Sequence, residues 1–216
     1  MNAKIHDAVV NSVTSSPNLI IVESDIKGAG QGLFTNQYII KGRPICEYKG
    51  NLLTAEEASN LPRSETLYLL GLGNPSVSDS QGKVFTRIDA NPNSTAEIGY
   101  GGFANDLYTK YPQELIDCRE RFAKETHRVM RKYGTYFSSL NVNKKMSPAD
   151  RKKLRKAFKK AISLENELYE KYAAHGYNGI FVRIPGVPGF LMMSLKDIYP
   201  GQEIYVPYGD EYWELI

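Results

Sequence analysis

From Leu19 onward, short apolar runs alternate with glycine, proline and polar breaks. LIIVES (19–24), GLFTNQYII (32–40) and ICEYKG (45–50), the last two separated by the turn KGRP (41–44), are rich in apolar and β-branched residues. That texture predicts strands joined as hairpins. In TAEEASNL (54–61), Thr54 and Glu57 have the spacing of a capping box and predict a short helix. LYLLGLG (67–73) and KVFTRIDA (83–90) read as strands around a polar loop, NPSVSDSQG (74–82). Strand texture returns with GIFVRIPG (179–186), FLMMSLKDI (190–198) and the closing EIYVPYGDEYW (203–213). No internal repeat is visible.

Between these runs the period changes. QELIDCRERFAKETHRVMRKY (113–133) spaces Leu115, Phe122, Val129 and Tyr133 as a helical stripe. The next helix starts with Ser147 as N-cap, Pro148 at its first position and Asp150 as capping partner, and Gly176 lies just past its end. Leu154, Phe158, Ala161, Leu168 and Tyr172 are expected to form its apolar face. Residues 112–176 therefore read as a helical hairpin inserted in a β-rich domain spanning 18–216. Residues 1–17 show no periodicity and read as a flexible N-terminus.

Composition narrows the class. The chain has 216 residues, 42% hydrophobic and 24% charged, as expected of one soluble globular domain with a real core. No apolar run approaches the roughly 20 residues that span a bilayer. MNAKIHDAVVNSV lacks the charged start and long apolar core of a secretory signal. Cys46 and Cys118 are too few for a disulfide framework and favour a reducing compartment. His6, His127 and His175 have no metal-ligand spacing, so no metal is expected. The net charge of +3 is unevenly distributed. Residues 118–160 hold 15 Lys and Arg against 3 Asp and Glu, or +12, which leaves −9 on the remainder. Three readings of the basic stretch stay open: a solvated helical face, a contact with polyanions such as DNA, or a partner or nuclear-import signal in KKLRKAFKK (152–160).

The candidate chemistry sits in four segments. KGAGQGLF (27–34) has the spacing G-x-G-x-G followed by a strand. A dinucleotide loop needs G-x-G-x-x-G followed by a helix, so a Rossmann site is excluded. Alone, the run equally fits a plain glycine turn. Tyr48 in ICEYKG is a packing aromatic or a site phenol. In IGYGGFANDLY (98–108), Asn105 offers two donors and an acceptor, or simply begins an Asn-Asp turn. The closing EIYVPYGDEYW packs Tyr205, Tyr208, Tyr212 and the sole tryptophan, Trp213.

Taken in order, G-x-G-L-F, I-C-E-Y-x-G, I-D-A, G-F-x-N-D and D-I-x-P-G-x-E-I-x-x-x-Y-G-x-x-Y-W resemble the SET-domain protein-lysine methyltransferases from about Leu19 to Trp213, interrupted by the hairpin. The resemblance implies a mostly β chain with an α insertion (α+β), made of several small sheets with a knot-like C-terminal segment. It implies S-adenosyl-L-methionine as cofactor, held by the backbone of Ala29, Gly30, Gln31 and Gly32 and by Tyr68, Asn105, Asp106, Tyr208 and Trp213. Tyr208 and Tyr48 match the catalytic tyrosines, and Tyr48, Phe181 and Val206 match positions along the lysine channel. Phe181 and Val206 lack a hydroxyl, which implies methylation beyond the first step.

Two departures stand out. Asp106 replaces the family's histidine, and the cysteine-rich tail of many members is missing, with Tyr212 and Trp213 its obvious substitutes. The implied substrate is a protein, a histone tail above all, with nucleosomal DNA meeting the basic stretch 118–160 and no membrane partner. The implied location is the nucleus of its own or a host cell, otherwise the cytoplasm. The alternatives are a catalytically weak SET-fold binding module, a lysine methyltransferase for a non-histone protein, and a basic nucleic-acid-binding protein.

Overall fold

The computed structural model describes residues 18–62, 65–72, 77–91, 99–133, 146–183, 189–209 and 212–213. The expectation for residues 1–17 lies outside them. The chain divides into two units, one within residues 1–109 and 176–216 and the other within 110–175.

The first unit is a set of small antiparallel sheets. β1 (Leu19–Glu23) and β2 (Gln31–Thr35) pair from Leu19↔Thr35 to Glu23↔Gln31. β3 (Pro44–Tyr48), β9 (Gly179–Arg183) and β10 (Phe190–Ser194) form a second sheet with β10 in the middle. β4 (Asn51–Leu53), β5 (Leu69–Gly71) and β8 (Arg87–Asp89) form a third, centred on β8. β6 (Val77–Ser78) and β7 (Val84–Phe85) make a short ribbon. The short helix α1 (Ala55–Ser59) starts in a full capping box, in which Thr54 Oγ1 accepts from Glu57 N at 3.1 Å and Thr54 N donates to Glu57 Oε2 at 2.8 Å.

Leu33, Ile45, Met192, Ile198, Ile204 and Val206 lie in one buried cluster, and Tyr48, Leu72, Ile88 and Ala90 in another. Phe181 packs against both. Each large apolar side chain buried in this way contributes about 1.5–3 kcal/mol.

Two strand expectations need correction. LYLLGLG enters through a 3₁₀ turn, Thr66–Tyr68, and only Leu69–Gly71 is extended and paired. Among the described residues of the closing segment there is no regular strand. The segment makes single bridges, Phe34↔Glu203 and Asn105↔Tyr205, because it threads past two different neighbours and does not run along either.

The second unit holds α2 (Gln113–Tyr133) and α3 (Pro148–Ala174). Ser147 caps α3, accepting from Asp150 N at 3.1 Å, and the Asp150 carboxylate accepts the Ser147 hydroxyl at 2.7 Å. Asp150 is thus a partner of the cap's hydroxyl. Leu115, Cys118, Glu125, Val129 and Tyr133 are buried on α2, and Ala157, Leu168 and Tyr172 on α3. Phe158 is not in that stripe: it is 39% exposed, and Ile162, one turn on, is 53% exposed. Among the described residues no helix is long and apolar enough to cross a membrane.

Candidate active site

The site forms where the closing segment passes residues 104–106. Ile204 N donates to Leu33 O at 2.7 Å and Val206 N to Asn105 O at 2.9 Å. These bonds carry the chain to Tyr208, whose backbone N donates to Asp106 Oδ2 at 2.8 Å. The Tyr208 hydroxyl then returns to Ala104, donating to its carbonyl at 2.7 Å. Two motifs about a hundred positions apart therefore meet side by side. The glycines of YGGF allow a third approach. A Cβ on Gly101 would lie 3.1 Å from the Tyr48 ring and 3.3 Å from Glu47 O, so a side chain there would push Tyr48 away.

A cleft of about 720 Å³ opens beside this crossing. Tyr48, Phe181, Tyr208 and Tyr212 line one part, and Ala55, Ala58, Ser59 and Leu69–Gly71 another. Tyr48 donates to Tyr68 O at 2.7 Å and meets Phe181 edge-on at 5.1 Å. Tyr212 packs edge-on to Tyr208 at 4.5 Å, and Trp213 stacks on Tyr208 at 6.1 Å and 22°. Burial raises the Tyr48 phenol, with Asp89 adding to the effect. Burial also raises Tyr208 well above its ordinary value, with Tyr212 next. Tyr212 is pushed up to about 12, again by burial first and then by Tyr68. All three phenols stay protonated near neutral pH and present dipoles to the cleft, with no negative charge.

On the glycine side, Ser24 N donates to Gly30 O at 2.8 Å and closes the loop. Gly28 and Gly30 have φ of +86° and +75°, a conformation that glycine adopts without strain. Nothing lies within 4 Å of a Cβ built on either. Gly32 is glycine for another reason. A Cβ there would fall 2.2 Å from the Glu203 carboxylate.

Glu203 is 2% exposed. Its Oε1 accepts from Ser24 Oγ at 2.7 Å and Asn105 Nδ2 at 3.0 Å, and its Oε2 from Asp25 N at 2.7 Å and Tyr205 Oη at 3.0 Å. Asn105 Nδ2 also reaches Gln31 O at 3.0 Å. The Asn105 amide thus joins the glycine loop to the closing segment.

These residues suit an adenosyl sulfonium. The phenols of Tyr48, Tyr208 and Tyr212 line the cleft, and a cationic centre is favoured by such oxygens.

Of the residues singled out from the sequence, Tyr48, Phe181 and Tyr208 share the cleft, and Gln31 and Asn105 are hydrogen-bonded. Tyr68 supplies a carbonyl to Tyr48, and Trp213 stacks on Tyr208. Val206 does not line the cleft: it is fully buried in the core, beside Gly179. Glu203 and Tyr177 escaped the sequence reading. A lone acidic residue beside Ile204 with no basic neighbour was the available signal for Glu203. Among the described residues no cluster of three His, Cys, Asp or Glu could hold a metal.

Comparison with known proteins gives the class. A family model described as the SET domain matches residues 30–209, so the chain belongs to the SET-domain family, a family of methyltransferases. Among solved structures, the methyltransferase domain of human PR domain-containing protein 2 is similar at 13% identity and a TM-score of 0.44, covering 96% of this chain and 86% of that one. No curated protein matches the chain.

Proposed function

We propose that the chain is a protein-lysine N-methyltransferase that uses S-adenosyl-L-methionine and acts on a histone tail. The observation that carries this reading is the Tyr208 hydroxyl, fixed on Ala104 O at 2.7 Å in a cleft shared with Tyr48, Phe181 and Tyr212. When bound, the cofactor supplies an electrophilic methyl group on a sulfonium.

The glycine loop Ala29–Gly30–Gln31–Gly32 and Asn105 would hold the cofactor, with Tyr68 and Trp213 beside it. Asp106 would contribute through its backbone, because its carboxylate is taken up by protein donors. Tyr208 and Tyr48 act as catalytic dipoles. Their donated hydrogens are committed to Ala104 O and Tyr68 O, so their lone pairs are the groups offered to the reacting centre. Such preorganised oxygens stabilise a polarised methyl and keep the reactants aligned.

The substrate lysine must arrive neutral. At pH 7 that costs about 4.6 kcal/mol from a reference value near 10.4. Aromatic burial beside Phe181 and a nearby sulfonium both disfavour the ammonium and reduce this cost. The proton leaves through water, and no side chain acts as a dedicated base. Phe181 has no hydroxyl to restrain a methylated amine, which supports products beyond monomethyl-lysine. The charge of +12 on residues 118–160 supports a contact with nucleosomal DNA, and a chromatin substrate supports a nuclear site of action.

The test is transfer of labelled methyl groups onto core histones and nucleosomes. Tyr208→Phe should lose on the order of 10²-fold in kcat, the scale of one removed transition-state interaction. Wild-type rates in a folded Tyr208→Phe protein would remove the mechanism. Labelling of a non-histone protein in preference to histones would redirect the substrate assignment.

A further inference from the structure

Asp106 stands where the family pattern has histidine, and it is 7% exposed. Oδ1 accepts from the Tyr177 hydroxyl and from Tyr108 N at 3.2 Å. Oδ2 accepts from Tyr208 N at 2.8 Å and from the Trp213 indole Nε1 at 3.2 Å. A neutral imidazole has one acceptor nitrogen, whereas a carboxylate has about four acceptor sites and can serve all four donors.

Tyr208 is therefore pinned at both ends by one tripeptide. Asp106 takes its backbone N–H, and Ala104 takes its phenol. The oxygen that holds the Tyr208 backbone also holds the indole that stacks on the Tyr208 ring. Tyr177, fully buried, fixes the carboxylate from behind.

We propose that the Asp106 carboxylate is a positioning residue for the reacting phenol: it sets Tyr208 and Trp213 in register, so that the Tyr208 hydroxyl and the Tyr212 ring face the cleft together. Hydrogen bonds to an ionised acceptor are shorter and stronger than neutral ones, which suits a group that must hold a ring within a fraction of an ångström. The proposal rests on the catalytic reading of Tyr208, and it adds that the departure from histidine is functional.

Asp106→Asn tests it. The amide keeps the shape but turns an NH₂ toward two of the four donors. We expect kcat to fall roughly 10- to 100-fold, the loss of one or two charged hydrogen bonds. Calorimetric affinity for S-adenosyl-L-methionine should fall by clearly less than kcat does, through the loosened Trp213 alone, because the carboxylate itself acts on the reaction through Tyr208.

Trp213 is the only tryptophan, so its emission reports the interaction directly. In Asp106→Asn it should shift to the red and become more accessible to acrylamide. A purely structural role would lower the melting temperature and reduce kcat and cofactor affinity together, and that outcome overturns the proposal. So does a folded Asp106→Asn protein with unchanged kcat or unchanged Trp213 quenching. Should that variant not fold, Tyr177→Phe loosens the same carboxylate from behind and must show the same pairing of lowered kcat and redder emission; wild-type behaviour there is equally fatal. If the wild-type protein methylates nothing, the functional reading fails, while the Trp213 measurements still decide whether the carboxylate holds the indole.

Discussion

Phe181 meets the Tyr48 ring at 5.1 Å and brings only carbon to the cleft wall. Under the proposed function, Phe181→Tyr places a hydroxyl there that can hold the amine or a water and so oppose a second transfer. Intact-mass analysis with excess cofactor should show di- and trimethyl products shrinking severalfold while monomethyl product persists. A wild-type enzyme that stops at monomethyl-lysine would sink the prediction. The substrate amine, and not these phenols, sets the pH profile. Substrate deprotonation makes kcat/KM rise about tenfold per unit between about pH 7 and 9. Tyr48, Tyr208 and Tyr212 are all raised, Tyr212 to about 12, so their ionisation produces no falling limb below about pH 11. A decline beginning near pH 9 would mean that another group titrates. Tyr208, Tyr48 and Asn105 were legible in the sequence because each sits in a short motif whose order is itself a signal. Glu203, Tyr177 and the carboxylate role of Asp106 were not. Their meaning lies in partners 71 to 179 positions away, such as Tyr177 with Asp106 and Ser24 with Glu203, and no local pattern encodes those meetings.

At the scale of elements, helix starts and stops were the most readable features. Thr54 with Glu57, and Ser147 with Pro148, cap the helices at the predicted residues because capping is local hydrogen bonding. Which face is buried was harder to read. Leu154, Phe158 and Ile162 are spaced as regularly as Leu154, Ala157 and Ala161, and long basic side chains flank both sets. Period alone therefore could not reject Phe158. Nor did period announce Glu125, which occupies the buried stripe of α2. Arg128 and Lys160 hold it at 2.5 and 3.0 Å. The Arg128 hydrogen bond first, then that of Lys160, lowers its carboxyl to about 2. A folded value below the unfolded one stabilises the folded state above the unfolded value, near 4.5, and the contribution fades as pH falls toward about 2. The helical unit should therefore lose helicity by circular dichroism in that acid window. Glu125→Gln, measured at pH 7, should cost about 1–2 kcal/mol, a modest figure because both cations are largely exposed. The variant should also be less sensitive across the same window, and an unchanged acid transition would show that Glu125 is not its source.

For the whole molecule, the informative quantity is the partition of charge. Its sum of +3 would pass for an ordinary neutral surface, but +12 lies within residues 118–160 and −9 lies elsewhere. Arg151, Lys152, Lys153, Arg155, Lys156, Lys159 and Lys160 fall within ten positions of α3, 151–160, that contain no acid. Of these, Lys160 has its charge engaged by Glu125. An array of this kind raises its own electrostatic energy in water and lowers it when its cationic side chains replace the cations condensed on the phosphates of a nucleic acid. If the hairpin meets nucleosomal DNA, the association constant must fall steeply as salt rises. Replacing Lys152, Lys153, Lys156 and Lys159 by glutamine should flatten the log–log slope by about 3 to 4, near 0.9 for each phosphate no longer neutralised. Free histone peptides should be methylated by that variant at the wild-type rate, since none of the four residues lines the cleft. The two readouts separate the possibilities. A flattened slope with unchanged peptide turnover assigns the lysines to DNA. An unchanged slope leaves them as a solvated face that keeps the helix soluble. Reduced peptide turnover with an unchanged slope would instead mean that these lysines guide the substrate protein itself.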